Sequence, residues 1–326
     1  MRARAPASAA NLGPGFDALA LAVDRYVEVE VEPASRLIVR SEGEGAGISD
    51  DAGHLAARVA IDVAGHDRLA ITVRSQIPVA RGLGSSAALA AAAAAAAGSP
   101  DPLVVAARVD GHPENAAASA VGGLVVASTV QGAVRAVRLT LDPALVFVVA
   151  VPDRTLPTNK ARQALPPQVS REDAAFNLGR MGLLLAGLAD HRLLIKEAAE
   201  DRLHQNYRGF LFPEAQRILD GMQEGGALAV CWSGSGPSLL AITLDHDAPR
   251  VRAAATDALT LADVPGNVIV LHADLRGLVT GDAARLPAVD DGEPGAWHES
   301  FGADAGRSVA PVAEPDAQLF DFDSDN

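Results

Sequence analysis

Five short segments of this chain carry residue types that could do chemistry together. The clearest is Arg81-Gly82-Leu83-Gly84-Ser85-Ser86, which runs directly into an alanine stretch from Ala87 to Ala97. A strand-like run, Leu69 to Arg74, and Pro78 precede it. The first N–H groups of a helix have no partner inside the helix. The macrodipole adds partial positive charge there. Glycines let an anion approach the backbone, and serine hydroxyls can cap the helix, hold phosphate or reach a metal ion. The segment therefore proposes a phosphate site, although a tight turn alone would look similar. No Gly-Lys-Ser/Thr follows, so it is not a Walker A loop, and it is not the dinucleotide glycine pattern.

The other four segments are polar clusters between apolar runs. Pro6 to Asp17 sets Asn11 and Asp17 around Gly13-Pro14-Gly15, where Asn offers donors and an acceptor and Asp can hold an ammonium. Asp110-Gly111-His112-Pro113-Glu114-Asn115 precedes Gly122-Gly123. Ser233-Gly234-Ser235-Gly236-Pro237-Ser238 is a second flexible loop that could close on phosphates. Asp201 to Arg208 ends in an arginine able to grip a carboxylate with two bonds. Each alone reads equally as a turn or a cap. Their co-occurrence in one chain is harder to explain as turns.

The elements that must position these segments alternate along the chain. Strands are predicted at 27–31, 37–40, 69–74, 122–128, 134–139, 145–151, 228–232, 239–244 and 268–273. Helices are predicted at 54–64, 87–97, 103–109, 174–188, 193–199 and 251–259. Interleaving in both halves gives an α+β or α/β class, with a domain boundary near residue 150. Past residue 281 the periodicity stops. Residues 282–326 hold eleven acidic residues against Arg285 and Arg307, so most of the net charge of -14 lies there. That tail reads as disordered, ending in the acidic-aromatic run Gln318 to Phe322. The remainder is only mildly acidic, which argues against nucleic-acid binding. No stretch has transmembrane length. The beginning lacks a signal-peptide core, so the default location is cytoplasmic. Cys231 is the single cysteine and sits in an apolar run, as an inert core residue would. Eight scattered histidines give no zinc-ligand spacing, and neither a Gly-x-Ser-x-Gly elbow nor protein-kinase signatures occur.

Pro-Ala-Ser-Ala-Ala-Asn-Leu-Gly-Pro-Gly-Phe-Asp, Pro-Val-Ala-Arg-Gly-Leu-Gly-Ser-Ser-Ala-Ala and Ser-Gly-Ser-Gly-Pro-Ser together resemble the GHMP small-molecule kinases, in the right order over about residues 3–280. Gly-His-Pro-Glu-Asn and Asp-Arg-Leu-His-Gln-Asn-Tyr-Arg are similar to the homoserine kinase branch. The resemblance implies an α+β, two-domain fold. Residues 1–150 would form the N-terminal nucleotide-binding domain and residues 151–281 a ferredoxin-like C-terminal domain, with the site between them. It implies ATP, Mg2+ and phosphoryl transfer to the hydroxyl of L-homoserine, in threonine biosynthesis, by a possible homodimer; the alternatives are a kinase of the same superfamily acting on another small hydroxyl metabolite, or a catalytically impaired metabolite-binding relative. By motif position, Pro78, Val79, Ala80, Arg81, Gly82, Leu83, Gly84, Ser85, Ser86, Ala87, Ala88, Gly234, Ser235 and Gly236 would hold ATP. Ser86 would reach the metal. Asn11, Asp17, His112, Asn115, Arg162 and Arg208 would surround the amino acid, with Asp17 on its ammonium and the two arginines on its carboxylate. His112 and Asn115 would be catalytic. Some relatives have an aspartate base where Asn115 stands, so direct attack by the hydroxyl is implied here. Many relatives carry a magnesium-binding glutamate eight residues before the histidine. Val104 occupies that position, leaving Asp101, Asp110, or Ser86 with the phosphates to serve. His54 stands where an adenine-site asparagine is expected.

Overall fold

A computed structural model of the chain describes residues 1–286. The acidic-aromatic run at 318–322 and nearly all of the tail lie outside the described residues. Residues 1–286 form a single compact unit built on two sheets.

The strands of the first sheet are β1 (Arg2–Ala10), β2 (Leu19–Pro33), β3 (Ile38–Gly43), β4 (Leu69–Ser75), β5 (Leu124–Val130), β6 (Ala133–Arg138) and, from the far end of the described chain, β11 (Val279–Thr280). Their order is β11-β1-β2-β4-β3, with β5 pairing both β2 and β6. Among the described strands of this sheet, only β3 and β4 run parallel. Helices α1 (Leu55–Ala64), α2 (Ser85–Ala96), α3 (Pro102–Asp110) and α4 (Pro113–Val121) accompany this sheet. The alanine helix α2 touches β1, β2, α1, α3 and α4. Nine of its alanines are buried. Alanine suits that place twice over: it has the best helix propensity, and its methyl lets five neighbours come close.

The second sheet contains β7 (Leu145–Pro152), β8 (Ala229–Trp232), β9 (Leu239–Leu244) and β10 (Gly266–Leu271). It is antiparallel, in the order β10-β7-β9-β8. Between β7 and β8 lie α5 (Thr158–Gln163), α6 (Arg171–Ala189), α7 (Gln205–Gly209) and α8 (Ala215–Glu224), and α9 (Ala248–Leu261) joins β9 to β10. With α8 and α9 as its two helices, the βαββαβ order is the ferredoxin-like arrangement. Alternate residues of β7 serve two cores. Phe147, Val149 and Val151 join the main core, while Val146, Val148 and Ala150 pack with α8 and α9.

The sheets change over between β6 and β7, before residue 145, and β11 returns to the first sheet, so the division at 150 cuts through a strand. Description continues past 281: residues 281–284 form a 3-10 turn, and the Leu286 N–H donates to Glu28 Oε2 at 2.8 Å. The helix predicted at 193–199 is instead two 3-10 turns, 191–193 and 196–199, separated by extended Leu194 and Ile195. Asp142 accounts for part of this. Its carboxylate accepts the His191 N–H at 2.9 Å and draws that turn to the end of the second sheet. Cys231 is fully buried, and burial pushes its thiol up to about 12.

Candidate active site

The turn before α2 has its carbonyls and its amides in different roles. The oxygens of Ala80, Arg81, Gly82 and Leu83 accept from Leu156 N, Ser238 N, Ser233 Oγ and Ser8 N, at 3.3, 3.3, 2.7 and 3.1 Å. The N–H groups of residues 82–87 donate no hydrogen bond among the described residues. Gly84, the N-cap of α2, supplies no capping side chain. The result is a row of unsatisfied donors at a helix start, the electrostatic arrangement that takes an anion. The glycines are required by space. A Cβ on Gly82 would lie 2.3 Å from Ser233 O, one on Gly84 would lie 2.0 Å from Ser8 Oγ, and both have positive φ.

This turn opens into a cavity of about 230 Å³ that also receives Asn11, Asp17, Asp110, His112, Glu114, Asn115, Arg162 and Arg208. All six residues assigned to the amino acid by sequence are therefore brought together. Of the predicted nucleotide residues, Val79, Ala80, Gly82, Gly84, Ser85, Ser86, Gly234 and Ser235 line it too. The others do so less directly or not at all. Leu83, Ala87 and Ala88 have buried side chains in the core, and the Ala88 N–H is already bonded to Gly84 O at 3.0 Å. Pro78 and Arg81 face a separate groove, where the Arg81 guanidinium donates to Pro152 O. Gly236 is packed against Trp232. His54 is the N-cap of α1, accepting the Ala56 N–H at 3.2 Å, and does not line the cavity. Burial lowers its pKa.

At the acidic corner of the cavity, Ser86 Oγ donates to Asp110 Oδ1 at 2.5 Å. Asp101 is occupied as the N-cap of α3, bonded to Val104 N at 3.1 Å, and neither it nor Val104 lines the cavity. Burial raises the Asp110 pKa, a cost that a cation beside it would remove. Asp110 and Ser86 thus offer two oxygen donors suited to a hard divalent ion. Glu114 is a cavity residue that the motifs do not single out. It is 1% exposed, and its Oε1 lies 2.7 Å from His112 Nδ1. Burial opposes the charge on His112, yet Glu114 and Asp110 outweigh it and raise the histidine's pKa. Ser8 Oγ donates to Asn115 Oδ1 at 2.8 Å, which fixes the amide.

On the opposite side the charges are paired with each other. Arg162 clasps Asp17 with two bonds of 3.0 and 2.7 Å. Asn11 Oδ1 accepts the Asp17 N–H at 3.0 Å, and Asn11 Nδ2 donates to Gly234 O at 2.8 Å. Arg208 is 2% exposed and donates from NH1 to the same Gly234 O at 2.9 Å. Burial lowers its pKa to about 10, which leaves it a cation at neutral pH.

Residues 52–123 match the GHMP kinases N terminal domain, and residues 182–260 match GHMP kinases C terminal. The chain is 35% identical over 292 residues to the homoserine kinase of Desulfitobacterium hafniense, covering 85% of this chain and 98% of that one. It is 40% identical over 261 residues to the homoserine kinase of Thermus thermophilus, covering 76% and 89%. The crystal structure of homoserine kinase from Cytophaga hutchinsonii superposes with a TM-score of 0.75 at 26% identity, covering 86% and 96%.

Proposed function

The chain belongs to the homoserine kinase family of GHMP kinases, and on that premise we propose how its cavity works. The enzyme transfers the terminal phosphoryl group of ATP to the side-chain hydroxyl of L-homoserine, giving O-phospho-L-homoserine, a step of threonine biosynthesis. One observation carries the assignment of the site: a single cavity joins a row of free backbone amides to the Asn11, Asp17, Arg162 and Arg208 cluster. The amides at 82–87 and the loop at 234–235 hold the phosphates. Asp17 takes the substrate ammonium, and Arg162 and Arg208 take its carboxylate. Those contacts place the hydroxyl beside Asn115 and His112 at the acidic corner.

Phosphoryl transfer asks for alignment and charge stabilisation more than covalent help. Asn115, fixed by Ser8, orients the hydroxyl for in-line attack; the new O–P bond forms as the bond to ADP breaks, and the hydroxyl proton leaves late, to a phosphate oxygen. His112, whose charged form Glu114 and Asp110 favour, stands beside the transferred group and in that form offsets its negative charge. Ser86 and Asp110 fit a magnesium ion, which when bound neutralises charge on the phosphates. The residues that carry most of the first sheet, 2–138, and those that carry the second, 145–271, act as two domains that both line the cavity. We assign the enzyme to the cytoplasm as a homodimer without nucleic-acid partners. Among the described residues no helix is long and apolar enough to cross a membrane. The test is ADP release by the purified chain with ATP, magnesium and a panel of hydroxyl metabolites. Homoserine-dependent release with O-phosphohomoserine as product is expected. Release with another alcohol only, or binding without turnover, would overturn the reading.

A further inference from the structure

Behind Arg208 lies a buried polar chain that the transfer itself does not use. Asn177, Asp201 and His204 are 3%, 6% and 0% exposed. The Asp201 carboxylate accepts four hydrogen bonds, from Asn177 Nδ2 at 2.8 Å and from the N–H groups of Leu203, His204 and Gln205 at 3.0, 2.8 and 2.7 Å. These bonds fix the backbone from which His204 and Arg208 project.

The hydrogen bonds of His204 determine its tautomer. Its Nε2 lies 2.8 Å from Gly13 O, an atom that can only accept, so Nε2 carries the hydrogen. Nδ1 then presents a lone pair, and Arg208 NH1 donates to it at 2.8 Å. Complete burial keeps the imidazole neutral, pushing its pKa well below the usual histidine range, with Arg208 acting in the same direction. Phe16 stacks on the ring with centroids 5.2 Å apart. Both hydrogens of Arg208 NH1 are thus engaged, one by His204 and one by Gly234 O. Among the described residues Nε has no hydrogen-bond partner, so the Nε/NH2 edge of the guanidinium is left for a ligand.

We propose that His204 is a positioning residue for substrate recognition: its Nδ1 sets the Arg208 fork toward the substrate carboxylate, while its Nε2–H ties that fork to the turn carrying Asn11 and Asp17. This rests on the reading of the cavity as the amino-acid site. A histidine that only filled space would need neither this tautomer nor a guanidinium on its lone pair. The role is specific to the carboxylate end of the substrate, which makes it separable from general stability.

The experiment compares homoserine with 3-amino-1-propanol, which keeps the hydroxyl and ammonium but lacks the carboxylate. Each is measured as a ligand of the full chain, alone and with ATP. In His204→Leu, homoserine KM should rise about ten-fold or more, from the weakened charge-assisted contact, while ATP KM and the affinity for 3-amino-1-propanol change about two-fold or less. His204→Asn retains an acceptor near the Nδ1 position, and His204→Gln retains a donor for Gly13. Homoserine KM should therefore be lower in the Asn variant than in the Gln variant, whatever the fate of the Leu variant. Equal losses for both ligands, an unmoved homoserine KM, or the reverse order of Asn and Gln would overturn the proposal. Absence of homoserine-dependent turnover in the unmutated chain would instead overturn the reading of the cavity.

Discussion

The two ends of the cavity differ in what they have done with their hydrogen-bonding groups. At the phosphate end, residues 82–87 hold their amides free while the carbonyls of residues 80–83 are tied into the protein. At the amino-acid end, Asp17 is bonded to Arg162 and Arg208 to His204 and Gly234 O. The first end is built from backbone and can receive an anion without rearranging. The second is built from side chains: Arg208 keeps His204 and Gly234 O, while the Asp17–Arg162 pair must exchange partners to take the proposed substrate. That exchange is cheap. Asp17 and Arg162 are 35% and 38% exposed, and such a pair contributes about 1 kcal/mol or less. Two charge-assisted hydrogen bonds to a zwitterion, at about 1.5–3 kcal/mol each, offset its loss. The ligand replaces each partner by a group of the same sign.

Substitutions can break this contrast in order of effect. Asp110→Asn removes the charge paired with Ser86 at the phosphate end, and kcat should fall about 10²–10³-fold, as for loss of a major electrostatic stabiliser. Unchanged turnover at limiting magnesium would remove Asp110 from the metal site. Gly84→Ala forces a Cβ to 2.0 Å from Ser8 Oγ at a φ of +64°. The left-handed conformation alone costs about 1–2 kcal/mol, so ATP kcat/KM should drop at least about ten-fold, with a lower melting temperature. Full ATP use would show that the turn is not so tightly packed. Arg162→Ala acts at the exchanging end. It loses a substrate contact but also frees Asp17, so homoserine KM should rise only about ten-fold while ATP KM stays level. A shift in both constants would mean the ends are not independent. Ser86→Ala removes one neutral oxygen donor, and the apparent magnesium requirement should rise about five-fold. No change would leave the metal to Asp110 alone.

Much of this is legible in the chain because backbone chemistry leaves a strong local signature. Gly82 and Gly84 before an alanine run propose a close anion approach; what the structure shows is that both are required by packing, since an added Cβ would collide with Ser233 O or Ser8 Oγ. The six residues proposed to hold the amino acid come from motif position, and they converge in one cavity. What does not show depends on tertiary pairing. Strand β1 (RARAPASAA) has no β-branched residue, and it is a strand because β2 and β11 flank it. Nothing local distinguishes Asp110 from Asp101 as the proposed metal ligand; one faces Ser86 and the cavity and the other caps α3. Glu114 looks like a mild variation in its motif, since its contact with His112 depends on how α4 begins. The Asp17–Arg162 pair joins residues 145 positions apart, and single-chain motifs carry no signal for such a pairing.

The most direct test is a crystal structure of the full chain with homoserine and a non-hydrolysable ATP analogue. The phosphates should lie on the amides of 82–87 with that turn unmoved, and the Asp17–Arg162 pair should be open, its two ends on the ammonium and the carboxylate. An intact Asp17–Arg162 pair in a homoserine-saturated site, or a phosphate turn that has to rebuild, would contradict it.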